Sequence, residues 1–394
     1  MAPSPLGPPN PLSGTDAGWQ LDPAIVFLNH GSFGSLPVAV AEAAERHRWF
    51  IEAQPIARLG RGVADLLNAP KEALGRLLGA PPERIGLVEN ATAGIAAVLR
   101  NVAWHPGDEV VTTGHVYGAV RQALFRERDL HGIAIREVSV PLPVQSSDDV
   151  LARIVAALTD RTRLVLVDHV TSPTALVMPA REIVKACHAR GIAVMIDGAH
   201  APGMLPLDLD GLGADWYTGN LHKWVYAPKG CAFLHASAQR AHETHPASIS
   251  HHYGAGMDLE FGWQGTRDVG AWMAITDAIA WIENFGAGAV MNHNKQLAEW
   301  AHQRMVDSGL FEPISPTDGS MRGSMAACRL DARWRHRFAS VEALQAAILA
   351  EGSVEVPCME LYGDWLLRVS AAPHNRPWQY ERLIDTMRAL DRAI

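Results

Sequence analysis

A chain of 394 residues with 48% apolar and 19% charged residues has ample material for a buried core. It is too long for one simple core, so two domains are expected. The net charge of −8 argues against nucleic acid or an anionic membrane as principal partner.

The four cysteines, Cys187, Cys231, Cys328 and Cys358, have no C-x-x-C spacing, so neither a disulfide framework nor a metal site is indicated. The opening MAPSPLGPPNPLSG lacks the basic and apolar regions of a signal peptide, and its prolines predict a mobile tail over residues 1–20. No apolar run approaches membrane-spanning length, so a cytoplasmic protein with no membrane partner is expected.

In chain order, Ile25 to Leu28 is a short apolar run that leads into Asn29-His30-Gly31-Ser32-Phe33-Gly34, where two glycines around a serine permit a tight turn with exposed amides. An ordinary Gly-rich loop has the same composition. Residues 38–54 and 63–78 have amphipathic helical periodicity. A strand over 84–88 is followed by Glu89-Asn90-Ala91-Thr92-Ala93-Gly94 and a helical run over 95–100. Strand, small-residue turn and helix N-terminus together make a cradle of backbone N–H groups for a phosphate, to which Thr92 adds a hydroxyl; a simple N-cap fits the same residues.

The strand Glu109 to Thr113 ends in Gly114-His115-Val116-Tyr117, and the apolar strand Leu164 to Val167 delivers Asp168-His169-Val170-Thr171-Ser172. After a crossover helix over 179–190, the run Ile192 to Ile196 stops abruptly at Asp197-Gly198-Ala199-His200. A second run, Ala214 to Thr218, ends in Gly219-Asn220-Leu221-His222-Lys223-Trp224, and another strand covers 230–235. Short apolar runs closed by polar residues are the pattern of buried parallel strands with functional groups at their carboxyl ends. A lysine among Leu221, Trp224 and Val225 is partly desolvated, which lowers its pKa and suits it to a Schiff base with an aldehyde cofactor. A carboxylate such as Asp197 can keep a pyridinium nitrogen protonated. Taken singly, either residue also reads as a surface lysine or a helix-capping aspartate.

Residues 251–268, HHYGAGMDLEFGWQGTRD, form a long glycine- and aromatic-rich loop, a type that is often functional. A long helix over 271–285 then leads to a smaller domain with strands at 325–330 and 354–357 and helices at 341–349 and 378–390. Between them stands Leu366-Leu367-Arg368-Val369-Ser370, followed by Pro373-His374-Asn375. A planar guanidinium at Arg368 fits a carboxylate bidentately.

D-G-A-H followed by N-L-H-K resembles the active-site signature of the class V aminotransferase family of pyridoxal 5'-phosphate enzymes. N-H-G-S-F-G, H-V-T-S-P-T-A and W-Q-G-T-R-D resemble its isopenicillin N epimerase-like branch. The resemblance runs from Phe27 to the last helix and implies fold type I. That fold has a mainly parallel seven-stranded sheet between helices in a large domain (21–270) and a smaller α+β domain (271–394). It implies that Lys223 binds the cofactor covalently, that Asp197 holds the ring nitrogen and that His200 lies beside the phenolate oxygen. Thr92, Ala93, Asn220 and His222 would serve the phosphate, and His115 would stack on the ring. Ser172 stands where the family often has an asparagine, so Thr171 or Ser172 must bond the phenolate oxygen. Thr266 would reach the phosphate of a neighbouring subunit, which implies a homodimer with shared sites. Arg368, with Asn29 and Ser32 of the N-terminal loop, would hold the substrate.

The resemblance leaves the reaction open, because one carbanion can be reprotonated, transaminated or relieved of a leaving group at the β-carbon. The first expectation is an epimerase or racemase, favoured by N-H-G-S-F-G, H-V-T-S-P-T-A and W-Q-G-T-R-D, with a C–S lyase as the alternative. An epimerase needs Lys223 on one face of Cα and Tyr117 or His30 on the other. A C–S lyase needs Lys223 alone. A desulfurase needs a nucleophilic cysteine, for which Cys328 and Cys358 are candidates within apolar runs. A non-catalytic descendant would not need Lys223, Asp197 and Arg368 together.

Overall fold

In the computed structural model, which describes residues 7–14, 18–286 and 288–392, thirteen strands are arranged in three sheets. They are β1 (Val26–Phe27), β2 (Ile85–Val88), β3 (Glu109–Thr113), β4 (Ala134–Val138), β5 (Thr162–Asp168), β6 (Ala193–Asp197) and β7 (Trp216–Asn220). The remainder are β8 (Ala232–Ala236), β9 (Phe311–Pro313), β10 (Met325–Leu330), β11 (Val354–Glu355), β12 (Cys358–Leu361) and β13 (Asp364–Ser370).

The large sheet has seven strands in the order β2-β8-β7-β6-β5-β3-β4, with only β8 antiparallel to its neighbours. Helices cover both faces, so its central strands are apolar throughout, as a parallel sheet requires. Alternation sends Val165, Val167, Val194 and Ile196 into the core on one face. Leu164, Leu166, Met195 and Trp216 enter the core on the other.

The smaller domain is an antiparallel sheet, β12-β13-β10-β9, under the helices 289–307, 341–352 and 377–392. It has its own core around Trp334, Leu367 and Tyr380. Val26 and Leu28 belong to that core, because β1 pairs in parallel with β11 and Ser370 N–H donates to the Leu28 carbonyl at 2.8 Å. The N-terminal segment, expected with the large domain, therefore anchors on the smaller one, which suspends Asn29–Gly34 between the two.

Two further features differ from expectation. The helix expected over 271–285 is divided into 270–273 and 275–283 at Ala274, where ψ is −3°. This lets the Trp272 indole donate to the Gly230 carbonyl at 2.9 Å while Ile275 and Ile279 pack in the large-domain core. Trp19, within the stretch expected to be a mobile tail, bridges to Pro37 and packs on Tyr226, Trp281 and His374. Residues 1–6 and 15–17 of that tail lie outside the described residues. No described helix is long and apolar enough to cross a membrane.

Candidate active site

The carboxyl ends of β2, β5, β6 and β7 open into a cavity of about 460 Å³, closed on one side by Gly31, Ser32 and Phe33. Its floor is set by strand register. Asp168 and Asp197 are paired positions at the ends of β5 and β6, and both are buried. The Asp197 carboxylate accepts from Ala199 N–H at 2.9 Å, whereas Asp168 Oδ2 has no partner among the described residues. Burial raises the pKa of both, and the Asp197 charge raises Asp168 further, well above the usual range.

Lys223 follows β7 on a turn held by unusual backbone. Tyr226 has φ 58°, and a side chain at Gly34 or Gly203 would run into the carbonyls of His222 or Trp224. Lys223 Nζ stands 3.1 Å from His200 Nε2, and burial with the nearby Arg368 charge lowers its pKa to about 7. His200 is pushed well below its ordinary value by burial and then by Lys223, and His222 to about 4 for the same two reasons. Both rings are therefore neutral at physiological pH.

The helix Ala91–Asn101 points its N-terminus into the cavity. Asn90 caps it by accepting from Ala93 N–H at 2.9 Å, and Asn220 Oδ1 accepts from Ala91 N–H at 2.8 Å, with Thr92 between them on the wall. Gly94 allows this helix to lie against β7, since a Cβ there would meet the Thr218 hydroxyl. Arg368 is buried behind the wall. It donates to the Ser172 carbonyl at 2.6 Å and to the Ser32 hydroxyl at 3.2 Å, its Nε lacks a partner, and no carboxylate among the described residues neutralises it. Burial lowers its pKa to about 10.

Of the residues singled out from sequence, Thr92, Tyr117, Ser172, Asp197, His200, Asn220, His222, Lys223 and Ser32 line this one cavity. Others do not. His115 is fully buried behind it, with Nδ1 against the Thr174 hydroxyl at 2.9 Å and Nε2 donating to the Val140 carbonyl at 2.8 Å. Its ring is spent on holding the loop, and Tyr117 takes the wall position expected of it. His30 bonds the Lys223 carbonyl and has no open nitrogen toward the cavity. Ala93 uses its N–H in the cap. Asn29 supports the loop by accepting from Ser32 and donating to Glu355 at 3.3 Å. Thr266 is exposed and does not line this chain's cavity, although the adjacent Arg267 pairs with Glu89 at the rim.

Asp168, Glu89 and Lys229 also line the cavity and were not singled out from sequence. The available signal for Asp168 was its position at the carboxyl end of an apolar strand, the same signal that marked Asp197. Asp168, His200 and His222, each with an unpartnered buried polar atom, line the same cavity as a desolvated amine, with a helix N-terminus at its edge. This donor set fits pyridoxal 5'-phosphate, with Lys223 to bind it, Asp197 for the ring nitrogen, and Thr92 with the helix N-terminus for the phosphate.

The aminotransferase class-V family profile matches residues 38–383. Isopenicillin N epimerase of Streptomyces clavuligerus is 32% identical over 94% of this chain and 96% of its own. A probable chloroplastic L-cysteine desulfhydrase of Arabidopsis thaliana is 29% identical over 94% of this chain and 84% of its own. Among solved structures, the cystine C–S lyase C-DES in complex with its reaction product cysteine persulfide has the same fold. The TM-score is 0.80 at 21% identity, over 92% of this chain and 97% of that one. The chain belongs to the class-V aminotransferase family and is a pyridoxal-phosphate-dependent enzyme of fold type I.

Proposed function

We propose that this enzyme acts at Cα of an α-amino acid and cleaves a cysteine-derived substrate by β-elimination of the C–S bond. The observation that carries the amino-acid reading is Arg368, a buried guanidinium without a carboxylate partner, placed where its charge is felt by Lys223. A cation left unpaired in this way is costly unless a ligand carboxylate completes it. When bound, the cofactor withdraws electrons from Cα and makes its proton removable.

Lys223, with a pKa near neutrality, is suited to take that proton. Sulfur then leaves with the C–S electron pair and takes up a proton, and the aminoacrylate that remains is hydrolysed by water to pyruvate and ammonia. One base is enough for this sequence, and the full engagement of the His30 nitrogens supports a one-base reading. The relatives named as L-cysteine desulfhydrases and as a C–S lyase point the same way. A desulfurase is disfavoured. Cys187, Cys328 and Cys358 are buried, with thiols pushed up to about 11, 12 and 12, and Cys231 is raised further.

Epimerisation is the second reading, favoured by the isopenicillin N epimerase relatives and by Tyr117, whose half-exposed phenol on the wall can act as a second proton donor. Proton NMR of L-cysteine, L-cystine and other amino acids with enzyme in heavy water separates the two. Pyruvate formation supports elimination, and loss of the α-proton and optical purity without pyruvate supports epimerisation.

We also propose a homodimer. Trp49, Phe50 and Ile56 are large apolar residues exposed close together in the chain, and Thr266 is exposed and does not line its own cavity.

A further inference from the structure

We propose that His30 is a positioning residue for Lys223, fixed as the neutral tautomer with its proton on Nε2, and that it ties the substrate loop to the lysine turn. The tautomer follows from its partners. Nε2 lies 2.8 Å from the Lys223 carbonyl oxygen, which can only accept, so Nε2 must carry the proton. Nδ1 lies 3.2 Å from Ser35 N–H and 3.3 Å from His374 Nε2, so it must accept. A second proton on the ring would place a donor against both.

The ring cannot rotate out of this arrangement. It is fully buried between Trp224 and Tyr226, at centroid distances of 5.0 and 5.1 Å, with His374 at 5.5 Å and Trp19 closing the cage at 6.5 Å. Burial, with the Lys229 and Lys223 charges nearby, disfavours its charged form, and the bond to the Lys223 carbonyl only partly offsets this.

The element it holds needs holding. The lysine turn contains a non-glycine residue in the left-handed region, Tyr226 at φ 58°, a conformation that persists only where surroundings over-determine it. On its other side His30 is continuous with Gly31 and Ser32, which form the cavity wall, and Ser32 accepts from Arg368. A displacement of that loop by a bound carboxylate thus reaches the Lys223 backbone through one residue.

The proposal rests on Lys223 carrying the cofactor, which is checked separately by borohydride reduction of the holoenzyme and peptide mapping; a pyridoxyl group on a residue other than Lys223 sinks that reading and not only this one. For His30, the holoenzyme variants His30→Phe and His30→Gln are compared. His30→Phe keeps the ring packing and loses the hydrogen bond. It should lower kcat on the order of ten- to a hundredfold with KM little changed, and should shift the pH midpoint of the bound-cofactor absorbance. His30→Gln, which can still donate to the carbonyl, should restore most of both. Wild-type behaviour in His30→Phe, or equal impairment in the two, overturns the proposal.

Because His30→Phe can fail to fold, the wild type supplies an independent check. In histidine-labelled holoenzyme, one ring should show an Nε2–H tautomer that does not titrate between about pH 5 and 9 and that disappears in His30→Gln. Titration of that ring within this range overturns the assignment.

Discussion

Lys223 shows how much chemistry burial alone supplies. The Lys223 ammonium, buried on a turn whose Leu221, Trp224 and Val225 are themselves fully buried, loses hydration, and Arg368 adds like-charge repulsion, so the amine is partly neutral at physiological pH. The two aspartates at the ends of β5 and β6 oppose this and keep the shift moderate. Lys223→Ala should lose turnover; turnover without the lysine, measured as pyruvate release or α-proton exchange, would reject its role. Arg368 has the complementary logic. Its two donors reach only neutral oxygens, which suits the proposal that a substrate carboxylate pairs with it. Arg368→Ala removes charge-assisted hydrogen bonds of about 1.5–3 kcal/mol, roughly a ten- to hundredfold rise in KM. Steady-state kinetics with L-cysteine checks this, and an unchanged KM would count against it.

Among elements, the parallel pair β5 and β6 sets two carboxyl groups side by side in the core. Asp168 meets Asp197 on β6, Lys223 beyond β7 and the distant charge of Arg121 on the helix 118–131. Its pKa is higher folded than unfolded, so its contribution is intact at acid pH, and stability is lost as rising pH ionises it. Asp168→Asn removes that loss. In cofactor-free protein, the unfolding midpoint of the variant should gain on wild type steadily from about pH 4 upward. A difference independent of pH would show that Asp168 does not titrate in this way.

The helix 91–101 makes a second element-scale case. Gly94→Ala drives a methyl into the Thr218 hydroxyl, which is already donating to the Phe233 carbonyl at 2.7 Å. The helix must move off β7, at a cost of about 1–3 kcal/mol. Weaker phosphate binding should follow, measured as a lower affinity of the variant for pyridoxal phosphate.

At the scale of the molecule, the N-terminal segment crosses from the small-domain core to the wall of a cavity whose other lining residues belong to the large domain. Relative movement of the domains would act on Ser32 and His30 before any other part of the site. The exposed apolar residues Trp49, Phe50 and Ile56 belong to the large domain. Trp49→Glu with Ile56→Glu should convert a dimer to monomer in sedimentation experiments and, if Thr266 completes a neighbour's site, weaken cofactor binding as well. A wild-type protein that sediments as a monomer would reject the shared-site reading.

The sequence alone determined the strands that carry the chemistry, because a buried parallel strand is an unbroken apolar run and its polar terminus is visible without neighbours. Asp197 stands out this way and Lys223 three residues past such an end, whereas Arg368 lies inside the antiparallel strand β13 and stands out only through the family resemblance; the fold was legible through the order of the motifs. What the sequence leaves undecided is direction. His30 and His115 stand beside glycine turns just as Tyr117 does, yet their rings point into the protein. There they find carbonyl acceptors supplied by Lys223 and Val140 from elsewhere in the chain. Asp168 has the same local pattern as Asp197, and only strand register makes it a neighbour. Pairing of β1 with β11, which hangs the substrate loop on the far domain, joins residues over three hundred positions apart and has no local signal. Local hydrophobic pattern fixes which residues end a strand; tertiary packing decides which side chains a cavity receives, because orientation depends on partners that are distant in sequence.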